Sequence, residues 1–240
     1  MTCFLTSSPT VYRSWTLDSS NGFAGALKAA VPAGCRGLFI CSSPDDPETN
    51  DFYAEQMRGS LERAGLVFSG FDILDRRSAA RAGELTAGAG LIILAGGHVP
   101  TQNRFFAEIG LREKLWGYGG VILGISAGSM NSADIVYAHP EEKGEATDPA
   151  YQRFLPGLGL TGTMILPHFQ HIRDLTLDGL RVIEEIALPD SMGREFLALP
   201  DGSYLYIAGG REELRGEAWL IKDGSIAQIS REGETLLFKE

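Results

Sequence analysis

Through the first two thirds of the chain, short apolar runs alternate with stretches whose apolar residues recur at helical spacing. Residues 38–41, 67–74, Leu91–Leu94 and Val121–Ile125 read as strands, and residues 52–64 and 102–115 as helices. This alternation is the pattern of βαβ units around a parallel sheet. Leu91-Ile92-Ile93-Leu94 and Val121-Ile122-Leu123 are apolar at every position, as expected where helices cover both faces of a sheet, so these two should be its central strands.

Beyond residue 126 the pattern loosens. Residues 137–156 are polar and contain proline, which predicts a long surface loop of the kind that serves a site or a lid. A strand at Met164–Leu166 leads to Pro167-His168, and Leu177, Leu180, Ile183 and Ile186 then recur with the spacing of a helix. The last fifty or so residues read as antiparallel: strands at 196–199 and 204–207, then a hairpin of 218–221 with 226–229 turning at Asp223-Gly224. The predicted fold is α/β, a mostly parallel central sheet flanked by helices with a C-terminal antiparallel hairpin. No linker or repeat divides it, so residues 1–240 are expected to form one domain.

Composition narrows the function. With 44% hydrophobic residues in 240, the chain can fill one sizeable core. A formal charge of −10 argues against nucleic acid or an anionic membrane as partner, because both require a basic footprint. No stretch approaches the roughly 18 apolar residues of a membrane span, and no signal-like start precedes the first strand. Cys3, Cys35 and Cys41 form no C-x-x-C pair and leave one thiol over in any pairing, which fits a reducing, cytoplasmic setting. No metal or cofactor motif is present, and none is expected.

The chemistry concentrates at strand ends. Gly124-Ile125-Ser126-Ala127-Gly128 follows a predicted strand and precedes a helix-capable segment, the context of a nucleophile elbow, in which close backbone approach excludes a Cβ beside the serine. The four histidines are His98, His139, His168 and His171. His168 ends the strand Met164–Leu166 and is the best base, since α/β sheets gather their sites beyond the carboxyl ends of strands. Asp134, Glu141, Glu142 and Glu145 follow the elbow as candidate acids, and their composition does not rank them. Gly96-Gly97-His98 ends another strand, where the N–H of Gly97 could serve an oxyanion hole with that of Ala127.

Together, Ala95-Gly96-Gly97-His98-Val99-Pro100-Thr101-Gln102-Asn103, Gly124-Ile125-Ser126-Ala127-Gly128-Ser129 and Leu166-Pro167-His168-Phe169 resemble the serine peptidase family of dipeptidase E (aspartyl dipeptidase) and cyanophycinase. Leu199-Pro200-Asp201-Gly202-Ser203 looks like part of that family's closing strands. The resemblance implies the three-layer, flavodoxin-like fold of class I glutamine amidotransferases, with Ser126 where those enzymes have cysteine and Gln170 where their His-x-Glu has its acid. It further implies Ser126 as nucleophile, His168 as base, Gly97 and Ala127 as oxyanion donors, and an acid shortly after the elbow, falling most naturally on Glu141. A small, Asp-containing peptide is the implied substrate, with Gln102 and Arg173 as its binding residues; a homodimer is compatible. Two rival readings stand beside this one: an α/β-hydrolase esterase, which shares G-x-S-x-G, and a non-catalytic amidotransferase-like module that binds a small ligand.

Overall fold

The computed structural model describes residues 1–239. Thr2–Thr6 (β1), Cys35–Ile40 (β2), Phe68–Leu74 (β3), Leu91–Leu94 (β4) and Val121–Ile125 (β5) form the parallel part of an eight-stranded sheet, in the order β1-β5-β4-β2-β3. Tyr204–Ala208, Arg211–Arg215 and Thr235–Lys239 extend it beyond β1 in antiparallel fashion. β4 and β5 lie well inside the sheet, as their unbroken apolar sequences require, and all four residues of β4 have no accessible surface.

Each helix that positions the site has a local cause. Pro47–Arg63 (α1 here) begins where the Asp46 carboxylate accepts the Thr49 N–H at 3.1 Å, with Pro47 preset for the first turn. It buries Ala54, Met57 and Leu61 against the sheet. Val99–Glu108 (α2) buries Val99, Gln102, Phe105 and Phe106. The single helix expected over 102–115 is two, because Gly110 takes φ +59° and breaks it before Leu111–Lys114.

A second, four-stranded sheet carries the C-terminal half of the site. Its order is Ser225–Ser230, Ala218–Lys222, Glu195–Ala198, Met164–Leu166, and the last two strands run parallel. Tyr137 stacks on Phe196 at 4.0 Å between ring centres, anchoring this sheet to the stretch after the elbow. The predicted hairpin at Asp223-Gly224 is present, with both residues at positive φ. The helix expected through Leu177 and Leu180 is not. Asp178 and Gly179, at φ +52° and +85°, turn Thr176–Leu177 back on Leu180–Arg181, and helical structure begins only at Val182.

A Cβ added to Gly128 would fall inside the van der Waals shell of the Leu94 carbonyl, on backbone that cannot swing aside. We therefore expect Gly128→Ala to cost about 1–3 kcal/mol or more. Gly25→Ala, in a helix with open space around the new methyl, should instead stabilise by about 0.5–1 kcal/mol. Urea denaturation of the two variants checks the pair; equal midpoints would be incompatible with this packing.

Candidate active site

β5 delivers its last residues to the carboxyl edge of the sheet, and the chain reverses at once into the short helix Ala127–Asn131. Ser126 sits at this reversal with φ +47° and ψ −109°, a conformation rare for any residue with a side chain. Three groups hold it there. The Ser126 N–H donates to the Thr6 carbonyl at 3.0 Å, the Ser129 hydroxyl donates to the same oxygen at 2.7 Å, and Gly128 packs on Leu94. The hydroxyl of Ser126 is left half-buried at the turn.

β4 ends alongside. A Cβ built on Gly96 would lie 3.5 Å from the Cβ of Ser126, so the glycine pair and the elbow are immediate neighbours. Gly97 has φ +146° and abuts the Ser42 hydroxyl, leaving room for no side chain, and its N–H has no backbone partner. Ala127, as the first residue of its helix, likewise has an N–H with no intrahelical acceptor.

The histidine comes from the second sheet. His168 follows Met164–Leu166 with φ +55°, and its Nδ1–H donates to Asp201 Oδ1 at 2.7 Å. Sheet register explains the meeting: Ala198 pairs in parallel with Leu166, so both strands end at one level. The Leu199 N–H then bonds the Leu166 carbonyl, and the Phe169 N–H bonds the Leu199 carbonyl. Gln170 Oε1 accepts the Asp201 N–H at 3.0 Å, fixing the turn that carries the carboxylate. Burial pushes the Asp201 carboxyl up, but its bond to His168 and that imidazole's charge, with Gln170 and His171, outweigh burial and hold it below the usual carboxylate range. Among the described residues no hydrogen bond joins the Ser126 hydroxyl to His168, whose Nδ1 is engaged by Asp201.

Three sequence expectations require correction. Glu141 does not orient His168: its carboxylate lies 3.9 Å from His139 Nε2, while Asp201 occupies Nδ1 of His168. Asp201 was visible only as part of the Pro-Asp-Gly strand end; two parallel strands finishing at one level are what bring it to the histidine. Gln102 is fully buried, its amide donating to the Ala95 carbonyl at 2.7 Å and accepting from Asn131 at 3.0 Å, so it braces the glycine turn against the helix after the elbow and has no free group for a substrate. Arg173 points to solvent and its nearest acid is the exposed Asp174 at 3.6 Å. The arginine that lines the same cleft as His168 and Asp201 is Arg13, from a stretch before the first helix. Of the other candidate acids, Asp134 pairs with Arg112 on the surface. Glu145 accepts from His98 Nε2 at 2.8 Å and from the N–H groups of Glu141 and Glu142. His98, Glu142 and Glu145 hold ligand atoms within 4.8 Å of one another, and hydrogen bonds within the loop account for that grouping.

The family model for peptidase family S51 matches residues 34–215. A search of curated proteins finds no match. Among solved structures, a peptidase from an acI-B1 Actinobacterium superposes with a TM-score of 0.66 at 18% identity, covering 99% of this chain and 96% of its own. A protein assigned as peptidase E from Listeria monocytogenes EGD-e gives 0.55 at 17% identity, covering 95% and 98%. At such identities these two establish the fold alone. No helix among the described residues is long and apolar enough to cross a membrane.

The loop over the site holds two groups that titrate against their ordinary ranges. His139 is buried with Nδ1 unpartnered; burial first, then the charge of His168, brings it from 6.5 to about 4. Glu141, in the same loop, is raised from 4.5 to about 7, chiefly by desolvation, against the opposing pull of His98 and His168. The signs oppose. Between pH 6.5 and 4 unfolded His139 binds a proton that the folded form refuses, so its contribution is present above that window and lost as pH falls, on the order of 3 kcal/mol. Between pH 4.5 and 7 folded Glu141 keeps a proton that the unfolded form releases, so its contribution is present at low pH and lost as pH rises. Thermal unfolding of His139→Phe from pH 4.5 to 6.5 should therefore show stability falling with pH, and Glu141→Gln should show it rising; parallel profiles would exclude this assignment.

Proposed function

Because the chain belongs to peptidase family S51 and is thus a serine-type peptidase, we propose that it hydrolyses a small peptide or amide through Ser126, His168 and Asp201. The observation that carries this reading is the strained serine at the end of β5, held at φ +47°, together with a histidine whose Nδ1 is already engaged by a carboxylate. A carboxylate on Nδ1 fixes the tautomer that leaves Nε2 as the proton acceptor and stabilises the imidazolium once formed.

The steps balance without a cofactor. Ser126 Oγ bonds to the substrate carbonyl carbon as its proton passes to His168 Nε2. The developing oxyanion is met by the N–H groups of Gly97 and Ala127, each such donor being worth about 10²–10³ in rate in enzymes of this type. The C–N bond breaks as His168 returns the proton to the leaving amine, giving an acyl-serine and a free amine. Water then repeats the sequence: it bonds to the acyl carbon, gives its proton to His168, and Ser126 leaves with that proton.

We expect Ser126→Ala to abolish peptide turnover and fluorophosphonate labelling while retaining the wild-type unfolding transition; undiminished turnover would refute the assignment. Asp201→Asn should lower kcat by about 10²–10⁴, because the amide supports the wrong tautomer. Glu141→Gln should lower kcat much less, and the reverse ranking in steady-state kinetics would return the acid's role to Glu141.

A further inference from the structure

Residues 10–17 form a tight hairpin that lies before the region matched by the family model. Thr10 bridges Leu17, the Val11 N–H donates to the Thr16 carbonyl at 3.0 Å, and Arg63 Nη2 clamps the Trp15 carbonyl at 2.9 Å. The Trp15 ring lies edge-on to Phe52 and Tyr53, with ring centres 6.2 and 6.0 Å away. This hairpin divides the cleft. On one side a cavity of about 350 Å³ is walled by Trp15, Phe39, Tyr53 and Met57 and ends at Gly96, Gly97 and Ile125 beside the elbow. On the other a cleft of about 430 Å³ contains Arg13, His168 and Asp201. Ser8 and Thr10 line both.

Acyl transfer assigns a direction to the two halves. The carbonyl oxygen must point to the N–H donors at Gly97 and Ala127 and the leaving amine must face His168, so the residue supplying the acyl group lies on the side away from His168, where the first cavity opens. The amine that receives a proton from His168 leaves through the other half. The lining of the first cavity contains no lysine, arginine, aspartate or glutamate. Of the arginines nearest in sequence to its walls, Arg58 pairs with Glu62, Arg36 pairs with Asp72, and Arg13 lines the other cleft. Behind the cavity wall, Asn50 leans on the buried Asp75 at 3.4 Å. An ionised carboxylate entering here would lose its water and find no cation among the lining residues, both of which disfavour it.

We propose that the cavity behind Trp15 is the pocket for the acyl-side residue and that it selects an uncharged aromatic or aliphatic side chain rather than aspartate. The proposal rests on Ser126 being the nucleophile. Its volume lies at the small end of the roughly 300–1,000 Å³ range of ligand sites, sized for one side chain.

The test is kcat/KM for the aminomethylcoumarin amides of Phe, Leu, Ala and Asp, with fluorophosphonate labelling of each protein variant in parallel. Phe and Leu amides should exceed the Asp amide by at least about tenfold. Trp15→Ala should reduce the Phe-to-Ala ratio by at least about tenfold. Thr49→Arg, which places a guanidinium on the cavity rim, should raise the Asp-to-Leu ratio. Labelled protein that prefers the Asp amide, or a Phe-to-Ala ratio unmoved by Trp15→Ala, overturns the pocket and leaves the nucleophile standing. Protein that neither labels nor cleaves any of the four overturns both.

Discussion

The site depends on the end of β1. The Thr6 carbonyl accepts both the Ser126 N–H and the Ser129 hydroxyl, which locks the elbow to the central sheet. One residue later the Ser7 hydroxyl donates to the Leu199 carbonyl at 2.8 Å, the same oxygen that receives the Phe169 N–H just after His168. The last residue of β1 and the one that follows it thus tie the turn at Ser126 to the strand ends that carry His168 and Asp201. Thr6 and Ser7 are fully or almost fully buried, so these bonds form away from water, where leaving a partner unsatisfied costs about 1–3 kcal/mol. A strained serine persists only where its surroundings over-determine it, and here several bonds and one glycine contact do so.

Around that junction the carboxyl groups differ in partner. Asp201 bonds His168, which holds it below the usual carboxylate range; Glu141 lies in the loop after the elbow, and desolvation raises it to about 7. Two carboxyl groups near one imidazole would compete if both were ionised and both in reach. Their separation is geometric: the parallel pairing of Glu195–Ala198 with Met164–Leu166 aims one at Nδ1, and the long loop after the elbow turns the other towards His139.

How much of this is legible in the sequence follows from whether the information is local. β4 and β5 are readable because burial on both faces demands uninterrupted apolar residues, and the elbow is readable because its turn admits only glycine on either side. The glycine turn at Gly97 follows from the same local rule. β1 is not readable: Thr-Cys-Phe-Leu-Thr is short and has no helix-spaced neighbour before it, and its place between β5 and Tyr204–Ala208 is a long-range pairing. Asp201 is hidden for the same reason, since its link to His168 spans 33 residues and arises from the register of two strands. The failed helix at Leu177 is different. There a local signal existed, the Asp178-Gly179 turn, and the apolar spacing across it was coincidental.

The parts that escape local reading are also the parts that individualise the cleft. Elbow, glycine pair and histidine strand all fall between residues 34 and 215, the region shared with peptidase family S51. β1 and the hairpin at 10–17 fall before it, yet one fixes the turn at Ser126 and the other contributes residues to both cavities. Reaction type and side-chain preference therefore rest on different stretches of chain. Acyl transfer constrains the first tightly, because Ser126, Gly97 and His168 must converge on one carbonyl within hydrogen-bond distances. It constrains the hairpin scarcely at all, because any wall that leaves the carbonyl accessible permits the chemistry. Side-chain preference is accordingly free to differ among chains that share the catalytic groups, and the pocket proposed for this one assigns it to Trp15 and the aromatic residues packed against it.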